Sequence, residues 1–442
     1  MATYGGDEIS ALVLDTGYCW TRAGYAGEDT PKAVFPSLAG VLPSSASAPP
    51  TDAEGDTSMT ASTPQQQQKQ YIFGDGDITC WRPNMEIQQV VGRDGLVKDW
   101  DALEKMWEYA IKGRLRVRAE EHPLLVVEPA WNPREAREKM CEIAFESLNV
   151  PAFYLARDAV CTAFATGRST ALVLSSGGGV TSAVPVYDGY VLQRGMQRQI
   201  VAGEFVSDQI LQGLEADGVK VVPQYLVAKK HPVEPGQPAN AVLKDRPNTT
   251  ESFHKYMKMR TIHEFKESVC QVAEMPYDEN VISARPQRPY EFPDGYNMNV
   301  GSERYRVPEL LFQPQQYIRK PVVGFTDEET RSVESAVGIP QLIFNSALSC
   351  DIDMRPSLLS NIVVTGGNTL FPGFTERINQ DLYNLAFGQK FKIHAPGNTV
   401  ERKYSGWLGG SILASMGTFH QLWVSRKEYE ESGASIVEKK CL

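Results

Sequence analysis

The chain has 442 residues, of which 42% are hydrophobic and 22% charged, and carries a formal net charge of −10. That length leaves room for roughly two or three domains, each with its own core, and the composition is that of a globular chain. The negative balance argues against broad attraction to nucleic acid or an anionic membrane, and the seven scattered cysteines, never spaced as CxxC, suggest neither a disulfide framework nor a zinc site.

In chain order, "MATYGGDEISALVLDTG" lacks the basic and apolar regions of a secretory signal, so a soluble, reduced, intracellular protein is expected. "ALVLDTG" (Ala11–Gly17) reads as a short strand running into a glycine turn. The stretch 43–70 has no aromatic residue and only Met59 as a large apolar one, and it is expected to be a disordered insertion. Lys112, Arg114, Arg116 and Arg118 form a small basic cluster, but Glu120 and Glu121 follow at once, so a solvated face is expected. "PLLVVEPA" (Pro123–Ala130) is strand-like. The run Pro133–Leu148 is helical, with Met140, Ile143, Ala144 and Leu148 on one face.

"ALVLSSG" (Ala171–Gly177) repeats the first strand-and-turn motif and continues as "GGVTSAVPVYDGY". Each copy runs into a second strand that ends near a Tyr–Gly pair, which points to a duplicated half. Two such hairpins facing each other across a cleft could grip a polyphosphate through backbone N–H groups. Lys229–Thr250 is rich in proline, which is expected to exclude a regular element there. "NIVVTGGNTLFPGFTERI" (Asn361–Ile378) reads as a buried strand, a glycine pair and a helix starting near Pro372, a common setting for a nucleotide against backbone. Neither GxxxxGK[ST] nor GxGxxG occurs. The late apolar stretch "WLGGSILASMGTFHQLWV" is too short and too polar to span a bilayer, and Cys441 in "KKCL" is misplaced for prenylation. Strands alternating with helices define an α/β architecture.

Three loops in this order and spacing resemble the actin family. The resemblance covers nearly the whole chain outside the two insertions. It is most specific at "RAGYAGEDTPKAVFPSLAG", "EEHPLLVVEPAWNPREAREKM", "FPDGYNMNVGSERYRVPELLFQP" and the block from Glu401 to Leu442. The altered loops mark an actin-related protein, most similar to the nuclear ones of chromatin-remodelling and histone-acetyltransferase complexes.

The resemblance implies an actin-like fold, a duplicated ribonuclease H-like arrangement of two domains around a nucleotide cleft. Subdomain 1 would hold 1–36, 91–165 and 405–442, and subdomain 2 would hold 37–90. Subdomain 3 would comprise 166–201 and 320–404, and subdomain 4 would comprise 202–319 with a loop insertion near 229–250. ATP, with or without Mg2+, is the implied ligand. Asp15, Thr16, Gly17 and Tyr18 would line the first phosphate hairpin, with Arg22 in place of the family's lysine. Gly177, Gly178, Gly179 and Val180 would form the second. Lys266 and Glu267 would contact base and ribose, and Gly203, Gly366, Gly367, Asn368, Leu370, Phe371 and Lys403 would complete the adenosine side. Read without the family, Lys266 and Glu267 are an ordinary charged pair on a helix surface.

Departures from the family pattern concern catalysis. Its two hairpin aspartates are replaced by Ser175 and Gly178, a nearby histidine by Ser182, and the water-positioning glutamine by Asp158. Magnesium needs oxygen ligands in near-octahedral array, and phosphoryl transfer depends on positioning and electrostatics, so negligible hydrolysis and no catalytic or metal-ligating residue are expected. In the first hairpin Tyr18-Cys19 replaces Ser-Gly. The implied role is a nuclear structural subunit, with actin and an amphipathic helix of a remodelling ATPase or acetyltransferase scaffold as partners. Histones or nucleosomes are further candidates, and no membrane contact is expected. The insertion at 43–70 is expected to spoil self-polymerisation. Ile412, Leu413, Met416 and Phe419 are either core or the border of a groove for the partner helix. The competing readings are an active ATPase, with Asp158 as base, and a filament former.

Overall fold

The structure is a computed structural model that describes residues 10–43 and 69–441, so the insertion expected at 43–70 lies almost entirely outside the described residues. The chain first builds a hairpin from β1 (Leu12–Thr16) and β2 (Trp20–Tyr25), extended on the far side of β2 by β3 (Ala33–Pro36). β4 (Leu38–Leu42), β5 (Gln70–Ile72) and β6 (Glu86–Gln89) form a separate small sheet with β4 in the middle. β7 (Leu124–Glu128) then lies parallel to β1, and β8 (Ala152–Arg157) parallel to β7. Every residue of β7 is buried, which fits its run of Leu and Val and a parallel strand covered on both faces.

The same order recurs. β9 (Ala171–Ser176) and β10 (Thr181–Tyr187) form the second hairpin, with β11 (Tyr190–Val191) and β12 (Gln197–Gln199) paired to β10. Two further hairpins follow, β13 (Val227–His231) with β14 (Asn240–Leu243) and β15 (Arg288–Glu291) with β16 (Asn297–Val300). β17 (Ile362–Thr365) lies parallel to β9, and β18 (Ile393–His394) parallel to β17. Finally β19 (Val424–Ser425) returns to the first sheet beside β8. Each sheet is thus an antiparallel hairpin continued by two parallel strands, the pattern of a duplicated half.

Two differences from the sequence reading have clear causes. The segment 229–250 does hold regular structure, the β13–β14 hairpin. Its prolines Pro232, Pro235 and Pro238 all fall in the connection and Pro247 follows β14, so none interrupts the ladder. The helix expected over 133–148 starts at Arg134, with Pro133 as its cap, and is α-helical to Glu142. It then widens into a π-turn over Ile143–Ser147.

Each sheet carries its own core. Phe35, Trp107, Phe145 and Phe153 fill the first, and Phe205, Leu310, Ile343 and Phe374 the second. Helices Asp158–Ala165 and Thr399–Ser415 run between the two halves, and each touches strands of both sheets. Trp407 is fully buried at this junction and its indole N–H donates to the Val13 carbonyl at 3.0 Å.

Across the outer end of the molecule, β6 and the loop before it pack against helix Glu251–Val269. Met85, Phe253 and Met257 form a small core there, flanked by Ile72, Trp81 and Ile87. Polar contacts reinforce it. Trp81 Nε1 donates to Thr249 Oγ1 at 2.8 Å, Ile87 N–H to Ser252 Oγ at 3.0 Å, and the Asn84 N–H to the Asn248 carbonyl at 2.8 Å. Arg260 grips the Asp75 carboxylate with two N–H groups.

Candidate functional site

The two hairpin turns meet face to face. In the first, the Gly17 N–H donates to the Trp20 carbonyl at 3.1 Å, and in the second, the Gly177 N–H donates to the Val180 carbonyl at 3.0 Å. Tyr18 and Cys19 fill the space between them. A Cβ added at Gly178 would stand 2.1 Å from Cys19 Sγ, and one at Gly179 would stand 2.9 Å from the Tyr18 ring and 2.9 Å from the Arg93 carbonyl. Gly178 and Gly179, the second and third of the triple glycine, are therefore required by close approach, whereas Gly177 has room for a Cβ.

The first hairpin is braced from below. Asp15 and Arg22 are cross-strand partners and form an ion pair at 2.7 Å. The Arg22 guanidinium lies 5.2 Å from the Tyr404 ring centre, and the Thr16 hydroxyl accepts the Trp107 indole N–H at 3.2 Å. Gln89 Nε2 donates to the Tyr18 carbonyl at 2.7 Å. Behind the second hairpin lies the 361–378 loop. Gly366 has φ of 98°, and a Cβ there would stand 2.3 Å from the Ser176 carbonyl oxygen, so only glycine fits. Asn368 is buried and donates to Ser176 Oγ at 3.1 Å and to the Gly177 carbonyl at 2.8 Å. Leu370 and Phe371 follow, half-buried, and helix Phe374–Leu385 begins two residues after Pro372.

The structure thus gathers Asp15, Thr16, Gly17, Tyr18, Arg22, Gly177, Gly178, Gly179, Val180, Gly366, Gly367 and Asn368 around one cleft. Gly203 and Lys266 adjoin it in another role. The Gly203 N–H is taken by the Gly177 carbonyl at 2.9 Å. Lys266 is buried and donates to the Gly203 carbonyl at 2.8 Å and to Ser207 Oγ at 2.9 Å. It braces the start of helix Gly203–Ala216, while its neighbour Glu267 is exposed. Lys403 is exposed in the first turn of helix Thr399–Ser415, and the adjacent Arg402 carbonyl accepts the Gly366 N–H at 2.9 Å.

Sequence reasoning missed Arg93. Its backbone abuts Gly179, its guanidinium stacks 3.9 Å from the Phe325 ring centre, and Nη2 bonds Asp208 at 2.9 Å. Nothing in "VVGRDGLV" marks it, because its partners lie more than 100 positions on. Tyr404 was closer to hand, inside the quoted "ERKYSGW" block.

The electrostatics are unusual for a metal-dependent site. Among the described residues, no group of three or more His, Cys, Asp or Glu side chains is placed to hold a metal ion. Burial pushes the Asp158 carboxyl up to about 7, and the charge of Asp15 adds to the effect. Burial also lifts Asp208 to about 6 against the pull of Arg93. Burial acts to raise Glu204 too, but its 2.9 Å contact with His263 and the cations nearby hold it down to about 2. The Cys19 thiol is pushed up to about 12 by burial, so it packs as a neutral group. In contrast, Arg22 Nε and Arg93 Nη1 are buried donors with no partner among the described residues.

A cleft between two duplicated α/β halves, gripped by paired glycine hairpins, is the architecture of the actin family. The actin family profile matches residues 6–442, and the chain belongs to that family. Its kinship within the family lies with proteins named actin-related protein 4. It is 41% identical to the one from Schizosaccharomyces pombe over 457 aligned positions, covering 100% of this chain and 99% of that protein. It is 39% identical to those of Oryza sativa subsp. indica and Arabidopsis thaliana, each covering 99% of this chain and 100% of the relative.

Proposed function

We propose that the chain is a nuclear structural subunit of chromatin-remodelling and histone-acetyltransferase complexes, with ATP as a structural ligand that it hydrolyses negligibly. The observation that carries this reading is the meeting of the two hairpins. Tyr18 and Cys19 occupy the space against Gly178 and Gly179, and although Asp15 and Asp158 remain, no group of three possible ligands is assembled among the described residues. Backbone cradles and unpartnered guanidinium donors favour retention of a polyphosphate, and the lack of a water-positioning set disfavours its cleavage. Asp158 as a base is the main alternative, since a carboxyl near 7 would be partly ionised at neutral pH.

Docking would use the groove bordered by the end of helix Thr399–Ser415. Leu413 and Phe419 are core residues, whereas Ile412, Met416 and Leu422 remain 37%, 42% and 45% exposed. Apolar side chains at that spacing suit the apolar face of a partner helix supplied by a scaffold ATPase, with actin bound alongside. Among the described residues, no helix is long and apolar enough to cross a membrane.

Three measurements test the reading. Saturating ATP should raise the melting temperature by a few degrees through mass action, and no shift would remove the ligand. Single-turnover assays should show no phosphate release above background, and release abolished by Asp158→Asn would establish an ATPase instead. Purification of the tagged chain from nuclear extract should bring down actin and a large helicase-type ATPase.

A further inference from the structure

We infer that the cleft meets the phosphate charge of a nucleotide with the guanidinium groups of Arg22 and Arg93, so that binding does not require a divalent cation. The inference rests on the nucleotide reading above and specifies how that site works.

The first line of argument is that the local carboxylates are already engaged. Asp15 pairs with Arg22 at 2.7 Å, Asp208 with Arg93 at 2.9 Å, and Glu204 with His263 at 2.9 Å. Asp158 Oδ1 accepts the Ala159 N–H at 2.7 Å. A hydrated magnesium ion is held by oxygen ligands whose own hydrogen bonds point it into place, and among the described residues no group of three such ligands is assembled. An acid cannot simply return at position 178, because its Cβ would overlap Cys19 Sγ. Ser175 faces Ser182 across the β9–β10 ladder and supplies no charge.

The second line is that positive groups have capacity left over. Arg22 Nε and Arg93 Nη1 are the buried guanidinium atoms beside these hairpins that lack a hydrogen-bond partner among the described residues. Unpartnered buried donors are unfavourable and uncommon, and a phosphate oxygen would satisfy them, with the Tyr18 hydroxyl as the competing neighbour of Arg93. A guanidinium has several N–H groups in a fixed plane, so each arginine can hold its carboxylate through one nitrogen and still offer another to a phosphate. A lysine at position 22 would place a single point charge between the two. Arg22 Nη1, which also holds Asp15, lies 3.9 Å from where a Cβ on Gly17 would be, so the guanidinium sits beside the first turn.

The test is calorimetric titration of ATP into the full chain, once with excess EDTA and once with excess magnesium. The expected result is a dissociation constant that agrees within about threefold between the two conditions. Binding with magnesium that weakens about tenfold or more in EDTA would overturn the inference and leave the nucleotide reading standing. Absence of binding in both conditions would overturn both. Arg22→Gln should weaken ATP by about tenfold in either condition, and a loss seen only in EDTA and restored by magnesium would also count against the inference. Because Arg22→Gln breaks the Asp15 pair and could disturb folding, Arg22→Lys serves as the second variant. It keeps that pair and a charge, and should lose an intermediate amount of affinity equally in both conditions.

Discussion

Asp158 shows how much of the site's character is set by surroundings. It opens helix Asp158–Ala165 directly after β8, its Oδ1 accepts the Ala159 N–H, and burial lifts its carboxyl from 3.8 to about 7. The folded chain therefore holds that proton more tightly than the unfolded chain does. The stabilisation is complete below the unfolded value and is lost as pH rises through about 7. Asp158→Asn keeps an oxygen for the Ala159 N–H without the charge, so its advantage over the parent should grow between pH ~5 and ~8, by about 1–3 kcal/mol. Melting curves at the two pH values check this, and an advantage that shrinks with pH would contradict it. Asp158 stood in the sequence as a departure from a motif. That it is partly protonated was not legible there, because the shift comes from burial and from Asp15, 143 positions away.

Elements were legible where the signal was local. Both hairpins, the strand at 123–130 and the helix after Pro133 follow from short runs of apolar and turn residues. The β13–β14 hairpin was missed because proline was weighed by its number, when what decides is its position relative to the ladder. Ties between elements were not legible at all. Arg377 on helix Phe374–Leu385 is fully buried and clamps the Glu309 carboxylate with two N–H groups, at 2.7 and 2.6 Å, at the end of helix Glu303–Glu309. It also donates to the Ala273 and Met275 carbonyls, so one side chain joins three segments of the second half. Removing one partner strands the other charge in the core. Arg377→Met should therefore cost about 3–5 kcal/mol, read by denaturant unfolding. A loss below 1 kcal/mol would show that water reaches Glu309.

The duplication visible in "ALVLDTG" and "ALVLSSG" reaches into the topology, since both sheets continue a hairpin with two parallel strands. What no local pattern announced is the seam at the outer end, where Met85 meets Phe253 and Met257 across more than 160 positions. Phe253 is buried and its truncation leaves a void that neighbouring Met side chains fill only in part. Phe253→Ala should destabilise by about 3–5 kcal/mol. It should also raise hydrogen exchange at the Ile87 amide, whose acceptor is Ser252, the residue before Phe253 in that helix. Unchanged exchange at Ile87 would mean that the strand is held by the polar contacts alone.

The seam has a kinetic consequence. Anything lodged between the hairpins and leaving toward β6 must first part Met85 from Phe253, release Trp81 from Thr249 and pull Arg260 off Asp75. Each of those contacts adds to the barrier, so exit on that side should depend on opening of the seam as well as on the occupant's own grip. Loosening the seam, as with Arg260→Ala, should therefore speed both entry and exit of ATP while leaving its equilibrium affinity close to the parent's.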